Sequence, residues 1–158
     1  AWPRMIVQNE KGISASEKAE RSAMPAMAAG IVERCLEICT RYIDEREQFG
    51  QPIGNFQAVQ IRLARIYMIR ETMISWLLRL SRAERKGLMT QTMASAAKLY
   101  CGQAAVDACL EAIQILGGFG YMREGRVEKL MRDAKLLQIG GGTDDIQMLR
   151  IARAIRQS

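Results

Sequence analysis

Hydrophobic residues recur along this chain at intervals of three and four, the period of an α-helix. In the first helical stretch, which we expect to run to about Glu47, apolar side chains share one face and Glu33, Glu37 and Arg41 the opposite one. The apolar face consists of Ala28, Ile31, Cys35, Ile38 and Tyr42. Pro25 disturbs the pattern: either it kinks this helix, or the main helix starts there.

Two further long helices follow a turn rich in helix breakers between Phe49 and Gly54. The second is predicted from about Asn55 to Lys86 and ends at Gly87. Its apolar stripe is Val59, Leu63, Ile66, Met73, Leu77 and Leu80. The third is predicted from about Thr90 to Leu116, and its face is Ala94, Ala97, Cys101, Ala104, Ala105 and Ala108. Because small side chains let helices approach closely, we expect this third helix to lie centrally.

The last stretch has two helical halves around three successive glycines, Gly140 to Gly142. The first half carries an apolar face of Val127, Leu130, Met131, Ala134 and Leu137. The second carries a face of Met148, Ile151, Ala152 and Ile155, with Arg150, Arg153 and Arg156 directed away from it. Glycines end the first half and allow a close approach of the backbone, while Thr143 can cap the second. By itself, this pattern fits a simple helix–turn–helix corner.

These elements predict an all-α fold, an antiparallel bundle of the four-helix type. The 158 residues suffice for one domain with a real core, and strand-like alternation is not evident. The net charge of +6 is dispersed rather than clustered, so we expect no nucleic-acid partner, and no apolar run is long enough to predict a membrane span. With no histidine, a Cys/His metal site is excluded, and Cys35, Cys39, Cys101 and Cys109 are interpreted as reduced core residues of a cytosolic-type compartment.

Three ordered motifs connect the chain to a known family. They are REQFG (residues 46–50), QILGGFGY (114–121) and RDAKLLQIGGGTDDIQMLRIAR (132–153). Together they resemble the signatures of acyl-CoA dehydrogenases, in the helical domain that ends those enzymes. The resemblance implies that residues 13–158 are this C-terminal helical bundle domain and that residues 1–12 lead in from an upstream domain not included in the sequence. It implies the same bundle architecture that the periodicity predicts.

The resemblance also implies a reaction, a cofactor and partners. In the family, a carboxylate removes the α-proton of an acyl-CoA thioester while hydride passes from the β-carbon to N5 of FAD. Hydrogen bonds polarise the thioester carbonyl, since negative charge develops on its oxygen. The implied partners are acyl-CoA, further copies of the chain in a dimer or tetramer, and electron-transfer flavoprotein as the acceptor. The implied location is the cytoplasm, or the mitochondrial matrix in a eukaryote.

The catalytic base departs from the commonest family pattern. Most members carry Glu in the turn before Gly-Thr, where this chain has Gly141, which cannot act as a base. Isovaleryl-CoA and long-chain acyl-CoA dehydrogenases instead take the base from a Glu-Arg pair in the first helix, and that pair falls on Glu20 and Arg21. We therefore predict Glu20 as the base and Gly141 as the backbone donor to the thioester oxygen. Arg21 and Gly142 are predicted to line the acyl-CoA site.

The flavin contacts carry over residue by residue. Arg46 resembles the arginine that meets the FAD pyrophosphate, often across a subunit interface. The other predicted cofactor-binding residues are Phe49, Gln57, Gln114, Gly117, Gly118, Thr143 and Asp145. Taken one at a time, each glycine is also explained as a helix terminator.

Two alternatives stay open at the level of sequence. One is a flavin oxidase or monooxygenase of related fold. The other is a partner subunit or helical interaction module without a base, in which this bundle only assembles with an active chain.

Overall fold

The structure is a computed structural model that describes the backbone of residues 15–157 and the side chains of residues 23–157. Its long helices are α1 (Ala15–Glu45), α2 (Gln57–Arg85) and α3 (Gln91–Leu116). A short α4 (Gly118–Tyr121) and then α5 (Val127–Ile139) and α6 (Asp144–Gln157) complete the chain. The predicted all-α helical bundle is confirmed. The sequence Ser14-x-x-Glu17 has the form of a helix-capping box, but Ser14 and the side chain of Glu17 lie outside the part of the chain that the structure describes.

The small-faced helix α3 is the centre of the bundle, as predicted. It packs against α1, α2, α4, α5 and α6. Its buried residues are mostly alanine, glycine and cysteine, which allows the backbones of its neighbours to approach closely. Thr90 caps its start, because the hydroxyl oxygen accepts a hydrogen bond from the backbone N–H of Met93 at 3.1 Å.

A β-hairpin follows α1, which the sequence did not predict. Its strands β1 (Glu47–Gln48) and β2 (Gln51–Pro52) pair antiparallel, with Glu47 opposite Pro52 and Gln48 opposite Gln51. A 3-10 turn (Ile53–Asn55) then leads into α2. Strands of two residues are too short to produce visible alternation. Because the hairpin begins at Glu47, helix α1 ends at Glu45, two residues before the expected end.

Pro25 lies inside α1, which continues without a break from Ala15 to Glu45. The Pro25 side chain is buried in the bundle. Of the two possibilities left open by the sequence, a new helix starting at Pro25 is therefore wrong.

The predicted apolar faces of α1, α2, α3 and α5 form the core, but the prediction for α6 is wrong. Met148 and Ile155 are 46% and 66% exposed. Gln147 is the residue of α6 that is fully buried, and Arg150, predicted to face away, is partly buried. This helix meets α3 through polar contacts, so the hydrophobic period did not identify its inner face.

The four cysteines are buried and unpaired in disulfides, as interpreted from the sequence. The sulfur atoms of Cys35 and Cys109 lie 3.6 Å apart, joining α1 to α3. Burial raises the pKa of the Cys101 thiol to about 12, and burial together with the nearby Cys35 does the same for Cys39. Among the described helices, none combines the length and apolar character that crossing a membrane requires.

Candidate functional site

The triglycine turn between α5 and α6 has a backbone that favours glycine at two positions. The N–H of Gly140 donates to the Leu136 carbonyl at 2.8 Å and ends α5. Gly141 and Gly142 then adopt φ values of +60° and +89°, in the left-handed region. A Cβ atom at Gly142 would lie 2.9 Å from Nε2 of Gln147. Side chains are therefore disfavoured at Gly142 by both conformation and space.

Two buried polar side chains hold the carbonyl groups of this turn. Nε2 of Gln147 donates to the carbonyl oxygens of Gly141 and Gly142 at 3.0 and 3.1 Å. From α3, Nζ of Lys98 donates to the Gly142 carbonyl at 2.6 Å, although only 1% of Lys98 is exposed. Lys98 was not among the site residues predicted from the sequence. The sequence feature that could have identified it is a lysine on a helix face that otherwise consists of small, uncharged residues.

Helix α6 begins directly after the turn. The Thr143 carbonyl accepts the N–H of Gln147 at 3.0 Å, so Thr143 occupies the N-cap position. Asp144 and Asp145 lie in the first turn, where the helix dipole favours negative charge. The Asp144 carboxylate accepts a hydrogen bond from Nε2 of Gln103 at 3.2 Å and lies 3.8 Å from Nζ of Lys98. Thr143 and Asp145 themselves are exposed and accessible to a ligand.

The N-terminal half of α1 passes beside the triglycine turn. Cε of Met24 lies 3.1 Å from the position that a Cβ atom would take at Gly140. Glu20 and Arg21 belong to the preceding turn of the same helix, about 6 Å along its axis from Met24. Their side chains lie outside the described part of the chain. The helix turn that carries the predicted base is thus adjacent to the helix turn that contacts the glycines.

A second group of predicted residues surrounds the hairpin at the other end of α1. Arg46 is exposed, and among the described residues its guanidinium has no ion pair or hydrogen bond. Phe49 is 93% exposed and has a φ of +54°, a conformation uncommon for a residue with a side chain. Its ring meets that of Phe56 edge to face at 6.1 Å. Gln57 is exposed at the first residue of α2.

The turn after α3 lies at the same end of the bundle. The rings of Tyr42 and Phe119 stack at 5.7 Å, which connects the end of α1 to this turn. Gly117 has a φ of +60°, and Cβ atoms at Gly117 and Gly118 would meet open space. The packing of the chain therefore does not require a glycine at 118.

Gln114, in the last turn of α3, borders an open cleft of about 650 Å³ between α2 and α3. In this cleft the Glu111 carboxylate accepts hydrogen bonds from Arg62 at 2.6 Å and Arg65 at 2.8 Å. Partial burial acts to raise the pKa of Glu111, but the hydrogen bonds from Arg65 and Arg62 outweigh it and the pKa is lowered.

The predicted site residues thus form two groups rather than one. The first group lies near the start of α1 and consists of Glu20, Arg21, the triglycine turn and the first residues of α6 up to Asp145. The second group lies near the end of α1 and consists of residues 46–57 and 114–118. Tyr42 follows Met24 by eighteen residues, which corresponds to about 27 Å along the helix. The single chain does not bring the two groups together.

The chain is similar to proteins of one family. Residues 13–156 match the family described as acyl-CoA dehydrogenase, C-terminal domain. The probable acyl-CoA dehydrogenase YngJ of Bacillus subtilis (strain 168) is 42% identical over 135 residues, which cover 85% of this chain and 36% of YngJ. The mitochondrial isovaleryl-CoA dehydrogenase of Oryza sativa subsp. japonica is 36% identical over 136 residues, covering 86% of this chain and 33% of that protein.

The chain is also similar to a solved structure. The prolyl acyl carrier protein oxidase AnaB matches with a TM-score of 0.83 and 36% identity, over 89% of this chain and 37% of AnaB. The chain spans about a third of the length of the curated relatives it matches. It belongs to the acyl-CoA dehydrogenase family, in the part that forms the C-terminal domain.

Proposed function

We propose that this chain is the C-terminal helical domain of an FAD-dependent acyl-CoA dehydrogenase, which forms a double bond between the α- and β-carbons of an acyl-CoA thioester. The observation that carries the proposal is the contact of α1 with the triglycine turn, at Met24 and Gly140. This contact brings the helix that carries a candidate base next to backbone N–H groups that could donate hydrogen bonds to a thioester oxygen. On this proposal, residues 1–12 lead in from an upstream domain.

Glu20 is the proposed base. Gly141 has no side chain to accept a proton, so the carboxylate must come from another element. Helix α1 carries Glu20 one turn before Met24, and Arg21 beside it is proposed to line the acyl-CoA site. A carboxylate positioned against the α-carbon removes the proton as the β-hydrogen leaves.

The backbone of the triglycine turn is proposed to polarise the thioester. The Gly141 N–H would donate to the thioester oxygen, where charge develops during proton removal. The missing side chain at Gly141 would leave room beside the acyl chain, which suits branched or bulky acyl groups. Gly142 would line the site through its backbone, because Gln147 fills the space beside its Cβ position. Bound FAD would supply the acceptor for the hydride from the β-carbon.

The described residues fit an FAD molecule in their donor chemistry. Arg46 offers an exposed guanidinium without an ionic partner among the described residues, as a pyrophosphate ligand requires. Phe49 keeps an exposed ring in a conformation that costs energy, which is typical of a functional position. At this end of the bundle, the remainder of the cofactor would be held by Gln57, Gln114, Gly117 and Gly118. At the other end, FAD would be contacted by Thr143 and Asp145.

The distance between the two groups supports a homo-oligomer. About 27 Å of helix separates them, so we propose that each end of a chain serves a different cofactor molecule and that neighbouring copies complete each site. The exposed apolar side chains of α2 and α3, among them Ile61, Met68 and Leu110, provide surface for such contacts. We propose electron-transfer flavoprotein as the acceptor, and the cytoplasm or the mitochondrial matrix as the location.

The test is anaerobic mixing of the FAD-loaded, full-length protein with a panel of straight-chain and branched acyl-CoA thioesters. We expect loss of the flavin absorbance near 450 nm, on the order of one equivalent of reduction per site, with the 2-enoyl-CoA as product. If no acyl-CoA reduces the flavin, the partner subunit without a base becomes the better explanation.

The similarity to the oxidase AnaB favours a second candidate function, a flavin oxidase acting on an acyl group. The same experiment distinguishes the two. After reduction, air is admitted: an oxidase reoxidises rapidly and releases hydrogen peroxide, whereas a dehydrogenase stays reduced until an electron-transfer protein is added.

A further inference from the structure

We propose that Lys98 is a positioning residue of the candidate site. Its buried ammonium group would fix the peptide between Gly142 and Thr143, and with it the amides that the triglycine turn presents to the acyl-CoA. The use of these amides rests on the proposed function, but the control of the turn by Lys98 does not.

The position of Lys98 is unusual for a lysine. It lies on α3 within the face that includes Ala97 and Cys101, and 1% of it is exposed. Burying an ammonium group is costly unless the group is paired and hydrogen-bonded. The Gly142 carbonyl at 2.6 Å and the Asp144 carboxylate at 3.8 Å provide part of that compensation. An apolar residue at this position would avoid the desolvation cost of a buried ammonium group. The lysine is therefore better explained by its hydrogen bond to the triglycine turn.

The turn needs such a restraint because successive glycines have the greatest conformational freedom of any residues. Lys98 and Gln147 donate to two consecutive carbonyls, those of Gly141 and Gly142. The C=O and N–H groups of a planar trans peptide point in opposite directions. Holding these carbonyls against α3 and Gln147 therefore directs the N–H groups of Gly142 and Thr143 away from the interior. The Gly141 N–H belongs to the preceding peptide group, and it is restrained because the next peptide group of the turn is fixed.

The positive charge has a second effect. A donor on the carbonyl of a peptide group polarises the N–H of the same group, which makes it a stronger hydrogen-bond donor. The ammonium of Lys98 bonds the carbonyl that shares a peptide group with the Thr143 N–H. It also lies beneath the start of α6, where the helix dipole is already positive. Both effects favour negative charge on an oxygen placed outside the turn.

The experiment uses the FAD-loaded, full-length protein and the substitution Lys98→Met, which keeps much of the volume and removes the ammonium. Hydrogen exchange, read by mass spectrometry on peptides covering residues 140–146, measures the restraint on the turn. We expect faster exchange there by about tenfold or more, and unchanged exchange at the other end of the bundle. The carbonyl stretch of a bound acyl-CoA should shift upward in frequency, since its polarisation decreases.

Flavin reduction by acyl-CoA should slow by about ten- to a hundred-fold, the range found when residues that orient a site are removed. Binding of acyl-CoA should change by about threefold or less, because the lost interaction is strongest in the transition state. The matched control is Cys101→Ala, a buried change one turn further along α3 whose thiol forms no hydrogen bond with the turn in the described part of the chain. It should lower stability without affecting the turn exchange or the carbonyl stretch.

A second variant covers the case in which Lys98→Met does not fold because Asp144 is left without its cation. Lys98→Met combined with Asp144→Asn removes both charges, and we expect it to fold and to retain the fast exchange and the slow reduction. Unchanged exchange of residues 140–146 in the folded variant would overturn the role of Lys98. Failure of the wild-type protein to react with any acyl-CoA would overturn the proposed function instead, and the exchange measurement would still decide the role of Lys98.

Discussion

Cε of Met24 lies 3.1 Å from the site of a Cβ atom at Gly140, so α1 touches the triglycine turn with almost no room between them. Met24 and Gly140 are far apart in sequence and belong to different helices of the bundle. Their contact links the two parts of the chain from which the family resemblance takes the base and the thioester-binding amide.

The first prediction concerns that base. In the FAD-loaded, full-length protein, Glu20→Gln should slow flavin reduction by acyl-CoA by about a hundred- to ten-thousand-fold, the usual contribution of a positioned general base. Glutamine keeps the size and the hydrogen bonding of glutamate but cannot accept the α-proton. Stopped-flow absorbance measures the rate, and acyl-CoA binding should stay largely intact.

The control for this prediction is Glu37→Gln, an exposed carboxylate further along α1 that pairs with Arg34 at 2.7 Å. This change should leave the rate unaltered. A wild-type rate in Glu20→Gln would mean that the base lies elsewhere.

The second prediction concerns flavin retention. Arg46→Lys keeps the charge but loses the planar fork that pairs with two phosphate oxygens, so we expect the protein to lose FAD more readily. A tenfold weaker affinity, about 1.4 kcal/mol, is a reasonable expectation. Fluorescence of released flavin during dialysis measures it. Arg85→Lys, an equivalent change at the exposed end of α2, is the control. Equal flavin content in both variants would remove Arg46 from the site.

The third prediction separates glycines that the packing requires from those that it does not. A Cβ at Gly125 would lie 2.2 Å from the Phe119 carbonyl oxygen, so the backbone must move. We expect Gly125→Ala to lower the free energy of unfolding by about 1–3 kcal/mol. Gly30, in the middle of α1, has nothing within 4 Å of its Cβ position.

Gly30→Ala should therefore raise the free energy of unfolding by about 0.5–1 kcal/mol, because alanine loses less freedom in a helix. Urea unfolding followed by circular dichroism measures both variants. Equal effects of the two substitutions would contradict the close contact at Gly125.

The fourth prediction is a pH dependence in the cleft between α2 and α3. The folded state holds the pKa of Glu111 below the ordinary value of 4.5. The stability that this provides is present above pH 4.5 and is lost as the pH falls through the folded-state pKa. Glu111→Gln should thus be less stable than the wild type at neutral pH by about 1 kcal/mol, since one arginine partner is largely exposed.

The difference between the two proteins should shrink progressively as the solution is acidified below pH 4.5. Urea unfolding at a series of pH values measures this difference. A constant difference down to strongly acidic pH would show that the ion pairs do not stabilise the fold.

The helical architecture was predictable because its elements are long. Helices α1, α2 and α3 contain 31, 29 and 26 residues, enough turns for the 3.6-residue period to stand out. The central place of α3 also followed from its composition, since small side chains are compatible with close packing on several sides. The hairpin at Glu47 to Pro52 was missed because each strand has only two residues.

Local sequence determined the helices, the glycine turn and the motifs that place the chain in its family. Only the tertiary structure decided what lies beneath the turn. Lys98 and Gly142 are 44 residues apart, and their hydrogen bond depends on how α3 packs against the start of α6. Likewise, α6 buries Gln147 and exposes Met148 and Ile155. Amphipathic periodicity identifies the less polar face of a helix, but the partners available in the folded bundle determine which face is buried.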